Sequence, residues 1–362
     1  MYSELCADRM PGQQADDTIE IALVNNMGDQ ALAATWEQFA RLARAGVGNR
    51  QSRMRGYWLQ GVSRSDRARR YLEQTHNDLS VLYANGADVL IVTGAEPRAS
   101  SLKDESYWAE FTELIDWART NTLSALWSCL AAHGAALHLD GVERRRAPTK
   151  ISGVYAFSTT PNDWLMRGSP PAVRVPHSRH NGLDREEVER RGYTVSSCSA
   201  TVGLDVFWRR EPSLFVFLQG HPEYDAETLS REYRRDVLRF LSHEREDYPR
   251  IPEGYFDAEM ISRLEALREC ACAKSANFAE HLDAILSSRP RKRLWAEHAE
   301  RLFGNWLAAV AREKSGRAGQ QAGVGRMGDR GAAPPNRQAQ NGSCDPVTED
   351  LGSHDALHEL SS

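Results

Sequence analysis

Cys129 stands at a change of pattern. Leu123-Ser124-Ala125-Leu126-Trp127-Ser128 is a largely apolar run, and Leu130-Ala131-Ala132-His133-Gly134-Ala135-Ala136 continues from the cysteine with small residues. A strand that breaks sharply into a helix lifts the intervening side chain out of the sheet, and only small neighbours leave room for that turn. The first amides of the new helix have no partner inside it, so they face the sulfur and favour negative charge there. The thiolate is the form of cysteine that attacks. A second apolar run, Leu214-Phe215-Val216-Phe217-Leu218, breaks at Gln219-Gly220 and delivers His221, with Glu223 two residues on. A histidine whose second ring nitrogen is held by a carboxylate suits general-base work. Taken singly, a cysteine at a strand end is more often a buried thiol, and a histidine there more often a satisfied surface group. Together the three are read more simply as a Cys-His-Glu nucleophilic site.

The elements that must position them follow from periodicity. Apolar runs at 19–24, 87–92, 123–127 and 214–218 each end in turn-forming or polar residues, the pattern of buried parallel strands. Helical spacing occupies 29–45, 67–85, 107–120 and 131–139, and further helices are expected at 226–242, 258–287 and 291–314. This alternation implies an α/β fold, a doubly wound and mostly parallel sheet flanked by helices. Function in such sheets sits at the carboxyl ends of strands, where both Cys129 and His221 fall.

Composition narrows the partners. Forty-five Lys+Arg against fifty Asp+Glu give a formal charge of -5, without the basic excess that drives phosphate-backbone binding, so no nucleic-acid partner is expected. The six cysteines are scattered. Only Cys270 and Cys272 lie close, at a spacing that fits neither a zinc ribbon nor a redox pair. Free thiols, no metal and a reducing compartment are expected. Residues 1–17 are polar, with Asp8, Asp16 and Asp17, and neither they nor any later stretch reads as a signal peptide or membrane span. The expected location is the cytoplasm, with no membrane partner. The expected organisation is a flexible N-terminus over 1–17, one catalytic domain over 18–314 and a disordered tail over 315–362, where large apolar residues nearly vanish.

At these residues the chain resembles the homoserine O-acyltransferase (homoserine trans-succinylase) family, whose fold is similar to that of class I glutamine amidotransferases. The resemblance runs from about residue 19 to residue 255. Its strongest segment is Gly220-His221-Pro222-Glu223-Tyr224-Asp225, followed by Thr228-Leu229 and Glu232-Tyr233-Arg234-Arg235-Asp236. Gly94-Ala95, Tyr107-Trp108, Lys150-Ile151-Ser152-Gly153-Val154-Tyr155 and Pro176-His177-Ser178-Arg179 agree with it. The resemblance implies Lys150, Ser178 and Arg235 as residues lining an amino-acid pocket. A guanidinium there matches a substrate carboxylate through two parallel hydrogen bonds. Glu232 lies three residues before Arg235, hence on the same helical face, and is the candidate partner of the substrate ammonium. Outside the family match such a pair is more often an ordinary surface salt bridge.

Three segments depart from the family pattern. Leu130-Ala131-Ala132-His133 stands where Trp-Gly-Ala-Gln is usual, so the elbow is kept and its lining changed. Asn25-Asn26-Met27-Gly28-Asp29-Gln30 replaces a lysine-containing Met-Pro segment and removes one expected cation. Counting from Gly94 to Tyr107-Trp108 without a gap puts Arg98 at the family's acyl-donor selector, where glutamate goes with acetyl transfer and glycine with succinyl transfer. Arginine is neither, but its charge suits a succinyl carboxylate, so succinyl is favoured over acetyl.

The implied activity is transfer of an acyl group from acyl-CoA (succinyl-CoA or acetyl-CoA) to the hydroxyl of L-homoserine through an acyl-cysteine, a step of methionine biosynthesis. Acyl-CoA enters as co-substrate and no cofactor stays bound. A homodimer is the family expectation. Three alternatives stand beside it: O-acylation of serine or another amino alcohol, glutamine amidotransferase-like hydrolysis by the same three residues, and a silent relative that only binds ligand.

Overall fold

The computed structural model describes residues 18–210, 212–271 and 277–327. Its elements in chain order are β1 (Ile19–Val24), α1 (Leu32–Val47), β2 (Ser52–Tyr57), α2 (Asp66–Thr75), α3 (Leu79–Asn85), β3 (Val89–Val92), α4 (Trp108–Asn121), β4 (Ser124–Ser128) and α5 (Leu130–Asp140). Then come β5 (Arg145–Thr159), β6 (Ala172–Gly182), α6 (Arg185–Arg190), β7 (Thr194–Ser199), β8 (Gly203–Arg210), β9 (Leu214–Leu218), α7 (Thr228–Leu241), α8 (Ala258–Ala271), α9 (Phe278–Leu286) and α10 (Ala296–Met327). Tertiary contacts separate a body ending at Ala318 from the remainder, of which only helical backbone to Met327 is described.

The nine strands form one sheet in the order β2-β1-β3-β4-β9-β8-β7-β5-β6. The four expected apolar strands, with β2 outside β1, make the parallel half. Their residues are apolar on both sides because both sides are covered. Ala22 and Val24 pack with Phe111 of α4 and the small residues of α5, whereas Ile21 and Leu23 pack with Phe39 of α1 and Phe303 of α10. The other half is antiparallel, from β9 through β8 and β7 to the β5–β6 hairpin, so the sheet is mixed. These added strands carry alternating polar residues, which fits a surface left partly open to solvent.

Two expected long helices are each divided. The 67–85 segment breaks at His76, where the chain turns to extended geometry and Asn77 N–H donates to Gly56 O at 2.8 Å. The 258–287 segment becomes α8 and α9, with 272–276 outside the described residues. The helix expected to end at 314 continues to Met327. Four glycines make this stretch a poor helix former by itself, but it continues a packed helix, and each added residue gains one backbone hydrogen bond. The rest of the expected tail, 328–362, and the N-terminal 1–17 lie outside the described residues. Among those described, no helix is long and apolar enough to cross a membrane.

Candidate active site

Cys129 sits in the single residue between β4 and α5, with φ 53° and ψ -111°. A side chain at positive φ is strained, and such strain concentrates at functional turns. The turn is pinned by the neighbouring strand: Ser128 pairs with Leu218, and Cys129 N–H donates to Leu218 O at 2.7 Å. Ala131, Ala132, Ala135 and Ala136 are buried behind it. The loop after β3 presses on the same turn, since a Cβ on Gly94 would stand 2.6 Å from Leu130 Cβ and 2.9 Å from its backbone nitrogen. The replaced 25–30 segment is tied down there as well. Asn26 N–H donates to Thr93 Oγ1 at 2.8 Å, and the buried Arg64 guanidinium hydrogen-bonds the carbonyls of Met27 and Asn25.

His221 enters from the adjacent parallel strand at the same end of the sheet. Its backbone N–H donates to Pro176 O at 2.8 Å, and the preceding Gly220 N–H donates to the buried Asp205 carboxylate at 3.2 Å. His221 Nδ1 lies 2.8 Å from Glu223 Oε1, so the proton on Nδ1 is shared with that carboxylate and Nε2 is left for the cysteine. Tyr224 stacks on the imidazole with ring centroids 4.3 Å apart. Burial pushes the imidazolium down. The negative charges of Cys129 and Glu223, both hydrogen-bond partners of the ring, overcome that and hold His221 well above the usual histidine range. Glu223 Oε2 is buried without a hydrogen-bond partner.

Two of the residues implied for the amino-acid pocket, Lys150 and Arg235, meet at one carboxylate, that of Asp236. Lys150 Nζ lies 2.7 Å from Asp236 Oδ2, Arg235 Nη2 lies 2.9 Å from Asp236 Oδ1, and Arg245 Nη1 approaches to 3.8 Å. Burial raises the Asp236 carboxyl, but the Lys150 and Arg235 charges hold it below the usual carboxylate range. Ser178 pairs with Ser152 across the β5–β6 ladder and shares its face. Glu232 accepts from Tyr224 OH at 2.8 Å through Oε1, while its Oε2 is buried without a partner. Arg98 lies apart from this group. Its side chain is exposed and donates to Ser63 Oγ at 2.7 Å, whereas Glu96, two residues earlier, pairs with Arg239 of α7 at 3.0 Å. His133 contacts Gln219 Oε1 at 2.9 Å, and burial pushes it down to about 4, so it is neutral.

Four residues escaped the sequence reading as contributors. Tyr224 and Asp236 stand inside the histidine–glutamate motif and its helix, where the motif itself was a signal. Asp205, between Leu204 and Val206 in an apolar strand, was a visible buried-charge anomaly. Arg179, 5% exposed, donates to Val202 O and to Asn181 O, and its charge interacts with Cys129.

A family model described as homoserine O-succinyltransferase matches residues 6–315. The chain belongs to the homoserine O-succinyltransferase family. A homoserine O-succinyltransferase of Rhodopseudomonas palustris is 46% identical over 296 residues, covering 82% of this chain and 89% of the relative. One of Bradyrhizobium japonicum is also 46% identical, over 304 residues, covering 83% and 93%. Among solved structures, a glutamine amidotransferase of Thermotoga maritima is 14% identical, covers 75% of this chain and 97% of its own, and superposes with a TM-score of 0.41. That likeness is too loose to carry an argument. The homoserine O-succinyltransferase match takes in Cys129, His221, Glu223 and every residue around Asp236, and it extends the resemblance beyond 19–255 at both ends.

Proposed function

We propose that this chain moves a succinyl group from succinyl-CoA to the hydroxyl of L-homoserine through a thioester on Cys129, a reaction of methionine biosynthesis. The observation that carries the reading is the 2.8 Å contact of His221 Nδ1 with Glu223 Oε1, which aims the other ring nitrogen at a cysteine held on a strained elbow. The family's activity, succinyl transfer to homoserine, supports the group moved and its acceptor.

The Cys129 thiolate attacks the thioester carbonyl, and the oxyanion is held by the first amides of α5 and by the loop pressed against them after β3. The carbon–sulfur bond to coenzyme A breaks, and His221 gives its proton to the departing thiolate. Acylation removes the negative charge of Cys129, one of the causes that keep His221 protonated. The imidazole is thus left neutral when it must accept the homoserine hydroxyl proton. The alkoxide attacks the acyl-cysteine, O-succinylhomoserine leaves and the thiolate–imidazolium pair returns. Arg235 and Lys150 hold the acceptor carboxylate, Ser178 lines the same pocket, and Glu232 Oε2 takes the ammonium. For Arg98 to meet the succinyl carboxylate, its guanidinium must leave Ser63.

Initial-rate kinetics with both substrates varied test this. Parallel double-reciprocal lines and a preference for homoserine over serine are expected. Intersecting lines sink the acyl-cysteine route, a serine preference sinks the acceptor assignment, and glutamine hydrolysis in place of transfer sinks the reaction class.

A further inference from the structure

The overall charge of -5 hides a local excess. Between the β5–β6 hairpin and the segment following α7 runs a groove of about 480 Å³ whose walls include Arg145, Arg146, Lys150, Arg179 and Arg250 against Asp184 and Glu253. The cations are not equivalent. Arg145 is engaged by Asp184 at 2.6 Å, Lys150 by Asp236 at 2.7 Å, and Arg179 by backbone carbonyls and His177. Arg146 and Arg250 are exposed, come from different segments, and their side chains make no hydrogen bond or ion pair among the described residues. Two uncommitted guanidinium groups lining one groove form a receptor for a compact polyanion, and phosphate is the group their planar forks match best.

Arg179, a buried residue of the groove wall, also interacts electrostatically with Cys129. The β5–β6 register shifts between Arg146 and Ile151, so the strand bulges and presents Arg146 outward, while Ile151 still pairs with Arg179. In an acyl-CoA the pantetheine arm holds the phosphates away from the reacting thioester, so they need a binding site of their own. A long nucleic acid does not fit the net charge, and the amino-acid acceptor has no group that needs two outer arginines.

We propose that this groove docks the phosphate-bearing end of the acyl donor, with Arg146 and Arg250 as the phosphate contacts and the pantetheine arm running inward past Arg179 to Cys129. The inference rests on the acyl-CoA reading above and adds to it the place and direction of donor binding.

The experiment compares kcat/KM for succinyl-CoA with kcat/KM for S-succinyl-N-acetylcysteamine, which keeps the thioester and lacks every phosphate. It uses wild type, Arg146→Gln, Arg250→Gln and the double variant. The ratio of the two values is expected to fall about tenfold for each arginine and about a hundredfold for both, through KM for succinyl-CoA. The truncated donor reports in the same preparation whether each variant is folded and reactive. An unchanged ratio, or a rise in KM for homoserine instead, overturns the docking while leaving the acyl-transfer reading intact. If wild type turns over neither thioester, that reading falls and the docking with it.

Discussion

At the scale of single residues, the account turns on how His221 keeps its proton until the thioester is attacked. Glu223→Gln keeps the shape and removes the charge, so kcat is expected to fall about 100-fold, and the alkaline limb of the acylation rate to move down by about one pH unit. The sign follows from the raised imidazole: without the carboxylate the competent thiolate–imidazolium form deprotonates earlier. The same raised value makes the pairing stabilising below the ordinary histidine range near 6.5 and lost as pH rises through the folded value. The melting-temperature gap between wild type and Glu223→Gln should therefore narrow at alkaline pH. An unchanged gap contradicts the electrostatic part of the account. Cys129, His221 and Glu223 were legible in sequence because strand ends and turn chemistry are local patterns. Asp236 was not, because its importance lies in contacts with Lys150, 86 residues away, and with Arg245.

Among the elements, the exit of β9 bears the tightest constraint. A Cβ at Gly220 would lie 2.6 Å from Asp205 Oδ1 and 2.7 Å from His177 Nε2, both buried and unable to withdraw. Gly220→Ala should cost about 1–3 kcal/mol by overpacking and displace His221 as well, so chemical denaturation and kcat should both register it. Wild-type values for both mean that this close approach is not needed. The parallel strands were readable because burial on both faces demands continuous apolar runs. β5, β6, β7 and β8 were not assigned as strands: Thr194-Val195-Ser196-Ser197-Cys198-Ser199 is polar, and β5 holds Pro148 at its bulge. Lys150 and Pro176-His177-Ser178-Arg179 were found through family motifs while the hairpin that holds them went unread.

For the molecule as a whole, the layer behind the sheet carries the stability. Trp306 of α10 is 1% exposed, packs with Phe303 and Leu307, and donates from Nε1 to Ser124 Oγ at 2.8 Å beneath β4. Trp306→Ala should cost about 3–5 kcal/mol of unfolding free energy, while the fraction that stays folded in the cold keeps its kcat. A loss of kcat without a loss of stability would place α10 in the chemistry instead. The helix is legible in its spacing as far as 314, but its extension to Met327 is not, because the large apolar residues that mark a helical face nearly vanish there.

The central claim is a succinyl group held on Cys129, and intact-protein mass spectrometry tests it most directly. Wild type and Cys129→Ala are incubated with succinyl-CoA and then chased with homoserine. The account requires a mass gain of one succinyl group in wild type alone, which homoserine removes. A gain that persists in Cys129→Ala, or none in wild type while product still forms, contradicts it.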